Sequence, residues 1–105
     1  MLPVVFAITC LNGYFQDPVL ESLAESLLKA ERGGAVAVWA SSGMCDSAPQ
    51  ALMDQEMFRA IFGDRGASGG ALTLGEAVMR AKNSINDSDA RLTYILFGDP
   101  TIRVK

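Results

Sequence analysis

The sequence predicts an α/β fold, a mostly parallel sheet with helices flanking it. Two observations carry this expectation. Two short, unbroken apolar runs, Pro3 to Thr9 and Ala35 to Ala40, are rich in residues suited to strands. Between them, Val19, Leu20, Leu23, Ala24, Leu27 and Leu28 recur at the i, i+3, i+4, i+7 spacing of one helix face. Neither run alternates apolar with polar, so each reads as a strand covered on both faces. A strand, a helix and a second strand of this kind form a βαβ unit.

The elements follow in order. The first strand ends at Asn12-Gly13, a strong turn signal, and Leu11 to Gln16 form a loop. Asp17-Pro18 reads as an N-cap followed by proline at the first helical position. Glu21, Glu25, Lys29 and Arg32 fall on the polar side of that helix, with Glu25 and Lys29 as an i, i+4 pair. Gly33-Gly34 reads as its C-cap. After the second strand comes a loop, Ser41 to Ser47, and then a helix from about Pro49 to Phe62. Leu52, Met53, Met57 and Ile61 are expected to point inward, and Gly63 to stop the helix. Met44, Met53, Met57 and Met79 are assigned to the core by spacing. Gly63 to Gly70 is expected to be a flexible connection. Its Gly66-Ala67-Ser68-Gly69-Gly70 run lacks the Gly-Lys-Ser/Thr ending of a phosphate loop and follows no strand.

Thr73-Leu74-Gly75-Glu76 has the form of a capping box. It opens a helix that carries Leu74, Ala77, Val78 and Ala81 and ends near Asn86. Asp87-Ser88-Asp89 reads as a linker, Tyr94 to Phe97 as an apolar segment open between strand and helix, and Thr101 to Val104 as a last short strand. Asp99, before Pro100, is expected to shape a turn.

Composition bounds the function. The 105 residues carry a net charge of −3, and the basic residues are scattered, which excludes a nucleic-acid footprint. No apolar run reaches the roughly 20 residues of a membrane span, and the opening apolar run has no basic start or cleavage site of a signal peptide. Half of the residues are hydrophobic and the mean hydropathy is +0.22, rich for so short a chain. Such an excess points to a face covered by something outside this sequence. The two cysteines fit neither a disulfide framework nor a metal motif, so no cofactor and no metal are expected.

Ligand sites in open parallel sheets lie beyond the C-terminal strand ends. Two loops fall there, Cys10 to Gln16 and Ser41 to Ser47. Cys10 follows directly on a buried strand and is the candidate nucleophile; a buried, inert thiol is the plain alternative. A nucleophilic thiol needs a base, usually histidine, and the sequence contains none. Cys45, in the second loop, has no assigned role. A thiol-redox pair with Cys10 lacks any Cys-x-x-Cys motif.

Three segments converge on one family. Ile8-Thr9-Cys10-Leu11-Asn12-Gly13-Tyr14-Phe15 resembles the nucleophile segment of gingipain-type cysteine peptidases of family C25. Gly33 to Val38 with Ala40-Ser41-Ser42 is similar to the following strand and its loop, and Phe97-Gly98-Asp99-Pro100-Thr101 to the domain's closing signature. The resemblance implies that residues 1–105 form the C-terminal part of a caspase-like three-layer sandwich that hydrolyses peptide bonds through a Cys–His dyad. It implies Cys10 as the nucleophile, with a histidine supplied from upstream of Met1. It further implies that Ser41, Ser42, Gly43 and Met44 wall the pocket for the residue preceding the scissile bond. The implied partners are a peptide or protein substrate and the missing N-terminal part of the domain, and the implied location is secreted or at the cell surface. A non-catalytic caspase-like module for binding or assembly is the alternative. In either case, exposed sheet edges favour self-association.

Overall fold

The computed structural model describes residues 1–63 and 70–104. Its elements run β1 (Val4–Phe6), α1 (Leu23–Lys29), β2 (Ala37–Ser41), α2 (Ser47–Phe62), α3 (Leu74–Asn83), α4 (Ser88–Thr93) and β3 (Tyr94–Gly98). The sheet is mixed, in the order β1-β2-β3. β1 pairs parallel to β2, with Val5 opposite Val38. β3 pairs antiparallel to β2, with Trp39 opposite Leu96. The predicted α/β class holds; the parallel part is the β1-α1-β2 unit.

Every residue of β2 is buried, as its unbroken apolar run demands. Successive side chains serve opposite faces. Ala37 and Trp39 join the cluster formed with Met53, Met57, Ala60 and Ile61 of α2 and Leu74, Ala77 and Ala81 of α3. Val38 and Ala40 face Ala24 and Leu27 of α1. The result is three layers: α1, sheet, and the α2–α3 pair.

Several boundaries differ from expectation, each for a local reason. The first helix begins at Leu23, not Pro18. Asp17 accepts from the N–H groups of Val19 and Leu20, a local turn. The helix is capped instead by Ser22 and Glu25 in a reciprocal capping box. Val19, Leu20, Leu23 and Leu28 are therefore exposed, and α1 meets the sheet through Ala24 and Leu27. With Glu25 engaged in the cap, Lys29 pairs with Glu21 at 2.8 Å rather than with Glu25. The helix ends at Ala30, and Gly33 and Gly34, both at positive φ, turn the chain into β2.

In α2, Met53, Met57 and Ile61 are buried as expected, but Leu52 is exposed and its assigned inward place goes to Gln50 and Asp54. Gly63 caps α2, its N–H reaching the Arg59 carbonyl. Met44 and Met79 are also exposed and lie outside the core. The Gly66-to-Gly70 reading falls mainly on residues 64–69, outside the described residues.

The capping box of α3 forms with Thr73 and Glu76, and the helix ends at Asn83, with Ser84 as its cap. Residues 87–89 are not a linker. Asp87 caps α4 by accepting from the Ala90 N–H, and Ser88 and Asp89 are helical. Tyr94 to Gly98 is a strand. Thr101 to Val104 forms no strand; an isolated bridge, Thr73 to Arg103, and the Leu74 N–H on the Ile102 carbonyl hold it instead. Asp99 does shape a turn, accepting from both the N–H and the hydroxyl of Thr101. No helix among the described residues is long and apolar enough to cross a membrane.

Candidate active site

Cys10 lies beyond the C-terminal end of β1, partly buried. Leu11, directly after it, has φ +67°, a left-handed conformation that a leucine rarely adopts. The strain is held by the next turn. Tyr14 N–H donates to the Leu11 carbonyl, and Gly13 N–H donates to the Ser41 carbonyl of the second loop. Gly13 packs so closely on the sheet that a Cβ would lie 2.7 Å from the Phe97 ring. The backbone around the thiol is therefore fixed to β2 and β3.

The second loop meets the first at the sulfur. The Cys10 thiol donates to the Cys45 carbonyl at 3.3 Å, and the Gln50 side-chain amide donates to the sulfur at 3.4 Å. The same Gln50 nitrogen lies 2.8 Å from the Cys45 carbonyl. Behind it, Tyr94 O–H donates to Gln50 Oε1 at 2.9 Å and lies 3.3 Å from the Ala7 carbonyl. Hydrogen bonding with the Cys45 backbone, then the amide of Gln50, holds the Cys10 thiol below its ordinary pKa despite partial burial. Burial pushes the Cys45 thiol the other way, against a hydrogen bond with Ser41. The two thiols thus sit in one cluster with opposite tendencies to ionise.

The other predicted residues divide. Ser41 and Ser42 are buried and spend their hydroxyls on structure. Ser41 Oγ donates to the Gly43 carbonyl at 2.9 Å, and Ser42 Oγ to the Thr93 carbonyl at 2.8 Å. The second bond ties the loop to the end of α4. Gly43 packs against Thr93, where a Cβ would come within 2.8 Å of a methyl. Met44 projects outward, 69% exposed. The structure therefore gathers Cys10, Cys45 and the Ser41–Gly43 backbone, and leaves Met44 at the rim.

Gln50 and Tyr94 do not stand out in the sequence as site residues. A signal existed for Gln50: it lies in phase with Met53, Met57 and Ile61, a polar side chain on an apolar stripe. Asp54 carries the same signal and is 3% exposed.

A cleft of about 640 Å³ opens at the opposite end of β1, lined by Leu2, Val4, Phe6, Ile61, Phe62 and others. It is mostly apolar, without the converging polar groups that chemistry requires. Among the described residues, no group of three or more His, Cys, Asp or Glu could hold a metal ion.

The crystal structure of the Arg-specific cysteine proteinase gingipain R superposes on this chain with a TM-score of 0.83 at 27% sequence identity. The match covers 99% of this chain and 26% of that one, so the chain spans about a quarter of that protein's solved length. No curated protein matches this chain. The sequence of residues 1–105 matches peptidase family C25 from end to end, and the chain belongs to that family.

Proposed function

We propose that this chain is the C-terminal part of a cysteine endopeptidase domain in which Cys10 attacks the scissile carbonyl. The observation that carries the reading is a thiol held below its ordinary pKa at the C-terminal end of a sheet strand, in a chain of family C25. The thiolate is the nucleophile, so a depressed pKa raises the reactive fraction near neutral pH. The chain has no histidine. The base that completes the dyad comes, on this reading, from a segment outside these residues. The Cys10 N–H would supply one oxyanion donor. The loop backbone from Ser41 to Gly43, with Met44 at its rim, would wall the pocket for the residue preceding the scissile bond. The substrate is a peptide or protein, and secretion or surface display fits such a peptidase.

A second reading, a non-catalytic caspase-like module for binding or assembly, is favoured by the missing base. One experiment separates the two. The full-length protein is assayed for peptide cleavage and labelled with iodoacetamide near neutral pH, with the modified cysteines mapped. A working peptidase cuts peptides and loses cleavage in Cys10→Ser. It labels at Cys10 well before Cys45, because one thiol is held down and the other pushed up. An uncut peptide and equal labelling of the two cysteines would leave the module reading.

A further inference from the structure

We propose that Gln50, oriented by Tyr94, is a positioning residue that aims an amide N–H at the Cys10 sulfur and stabilises its thiolate form. The proposal rests on the reading of Cys10 as the nucleophile, but its test does not depend on catalysis.

The geometry fixes the amide from both ends. Tyr94 has one O–H, and Oε1 at 2.9 Å is its nearer acceptor than the Ala7 carbonyl at 3.3 Å. A backbone carbonyl requires the NH₂ end, and the Cys45 carbonyl lies 2.8 Å from Nε2. With both partners in place the amide has one orientation, and Nε2 is left 3.4 Å from the sulfur. The one NH₂ group thus serves both the carbonyl and Cys10.

The mounting is rigid. Gln50 is 4% exposed, in the first turn of the 16-residue helix α2. Tyr94 is fully buried, its ring centroid 5.2 Å from that of Trp39. Trp39 Nε1 in turn donates to Asp54, one helical turn beyond Gln50 on α2. Gln50 cannot swing away without breaking this buried network.

The consequence concerns ionisation. In the thiol form the Cys10 proton rests on the Cys45 carbonyl. On ionisation that contact is lost, and the sulfur becomes a charged acceptor, for which an N–H is a stronger partner than before. Gln50 therefore favours the charged form. The Cys10 pKa is lowered, with Cys45 backbone hydrogen bonding the larger cause and the Gln50 amide a further one; of the two contacts described, the thiol's bond to the Cys45 carbonyl serves the neutral form, and the Gln50 N–H is the one that serves the thiolate.

A purely structural brace between α2 and the Cys45 loop would use the same contacts, so the test reads the thiol itself. In the full-length protein, iodoacetamide labelling rates are measured across pH, with the Cys10 and Cys45 peptides followed separately by mass spectrometry. Gln50→Met keeps the side chain's length and removes both donors. Its Cys10 labelling midpoint is expected to move to higher pH, slowing labelling at neutral pH by roughly 3- to 10-fold, the effect of one hydrogen bond to a charged, soft acceptor. Tyr94→Phe keeps the ring but releases the amide, and a smaller shift in the same direction is expected. It also serves as the deciding variant where Gln50→Met fails to fold. Unchanged Cys10 midpoints, even with lowered stability, reduce Gln50 to a brace and overturn the proposal. Shifted midpoints in a protein that leaves peptides uncut retain the positioning role and remove the peptidase reading. An active peptidase with unshifted midpoints does the reverse.

Discussion

Asp54 has Oδ1 on Trp39 Nε1 at 2.9 Å, while its buried Oδ2 has no hydrogen-bond partner among the described residues. Burial, opposed by the Trp39 hydrogen bond, raises its pKa from 3.8 to about 6. A carboxyl whose folded pKa lies above its unfolded value makes no demand at low pH, where both states are protonated. As pH rises from about 4 to about 6, the unfolded state ionises first and stability is lost. Above that window the loss is complete, about 3 kcal/mol for a shift of this size. Asp54→Asn keeps an oxygen for Trp39 and removes the titration, though its NH₂ also needs a partner. The stability difference between the two proteins should therefore change by about 3 kcal/mol in favour of Asn between acid and mildly alkaline pH. Denaturant unfolding at a series of pH values measures it. A difference that stays constant with pH would mean the carboxyl is not strained by burial. All other carboxylates cancel in the comparison, which isolates this residue.

At the scale of the element, the turn between α1 and β2 shows how closely backbone geometry is specified. Gly33 and Gly34 both have positive φ, but their surroundings differ. A Cβ on Gly33 would meet nothing within 4 Å, whereas one on Gly34 would lie 2.2 Å from the Leu27 carbonyl oxygen. Ala35 N–H bonds that same carbonyl, so the helix end cannot move aside freely. Gly33→Ala should cost only the conformational penalty, roughly 1–2 kcal/mol. Gly34→Ala should cost distinctly more, and urea midpoints compared side by side would show it. Equal midpoints would mean that the turn yields. The Gly-Gly pair was legible in sequence as the turn into β2, though not as the C-cap expected, which is Ala30. β2 was legible because a buried run leaves no polar alternation; β1 is shorter than its run, Val4–Phe6, and only half-buried at the sheet edge rather than covered on both faces. The start of α1 was not legible, since Asp17-Pro18 is as good a local cap signature as Ser22 with Glu25. Only the competing turn at Val19 and Leu20 decides between them. The site was half legible for a similar reason. Cys10 announces itself at the end of an apolar run, although the strand stops at Phe6 and the thiol sits in the turn beyond it, and its partners Gln50 and Tyr94 stand 40 and 84 positions away. Their convergence is produced by the fold, not by any local pattern.

At the scale of the whole molecule, β1 and β3 are both sheet edges, and among the described residues β1 has a neighbour on one side only. Apolar side chains crowd the unpaired side. Ile8, Phe58 and Phe62 are exposed, and Phe58 stacks between Phe6 and Phe62 with ring centroids 4.7 and 5.9 Å away. The apolar cleft of about 640 Å³ continues past Val4 and Ile61. An unpaired strand edge flanked by such a surface is a template for association. Part of the sequence's apolar excess therefore lies on this surface, with more of it exposed on α1 and the neighbouring loops. The 105-residue chain, prepared by itself, should self-associate in a concentration-dependent way, read by sedimentation velocity. Phe62→Lys should weaken the association, because a charge at the cleft is costly to bury against another chain. Leu92→Lys, at an exposed position on α4, should not. A chain that sediments as a monomer at all concentrations would show that the unpaired edge is blunted by its own twist and loops. Equal weakening by both variants would place the contact elsewhere or make it a general effect of charge. Loss of association in Phe62→Lys alone assigns it to the β1 side.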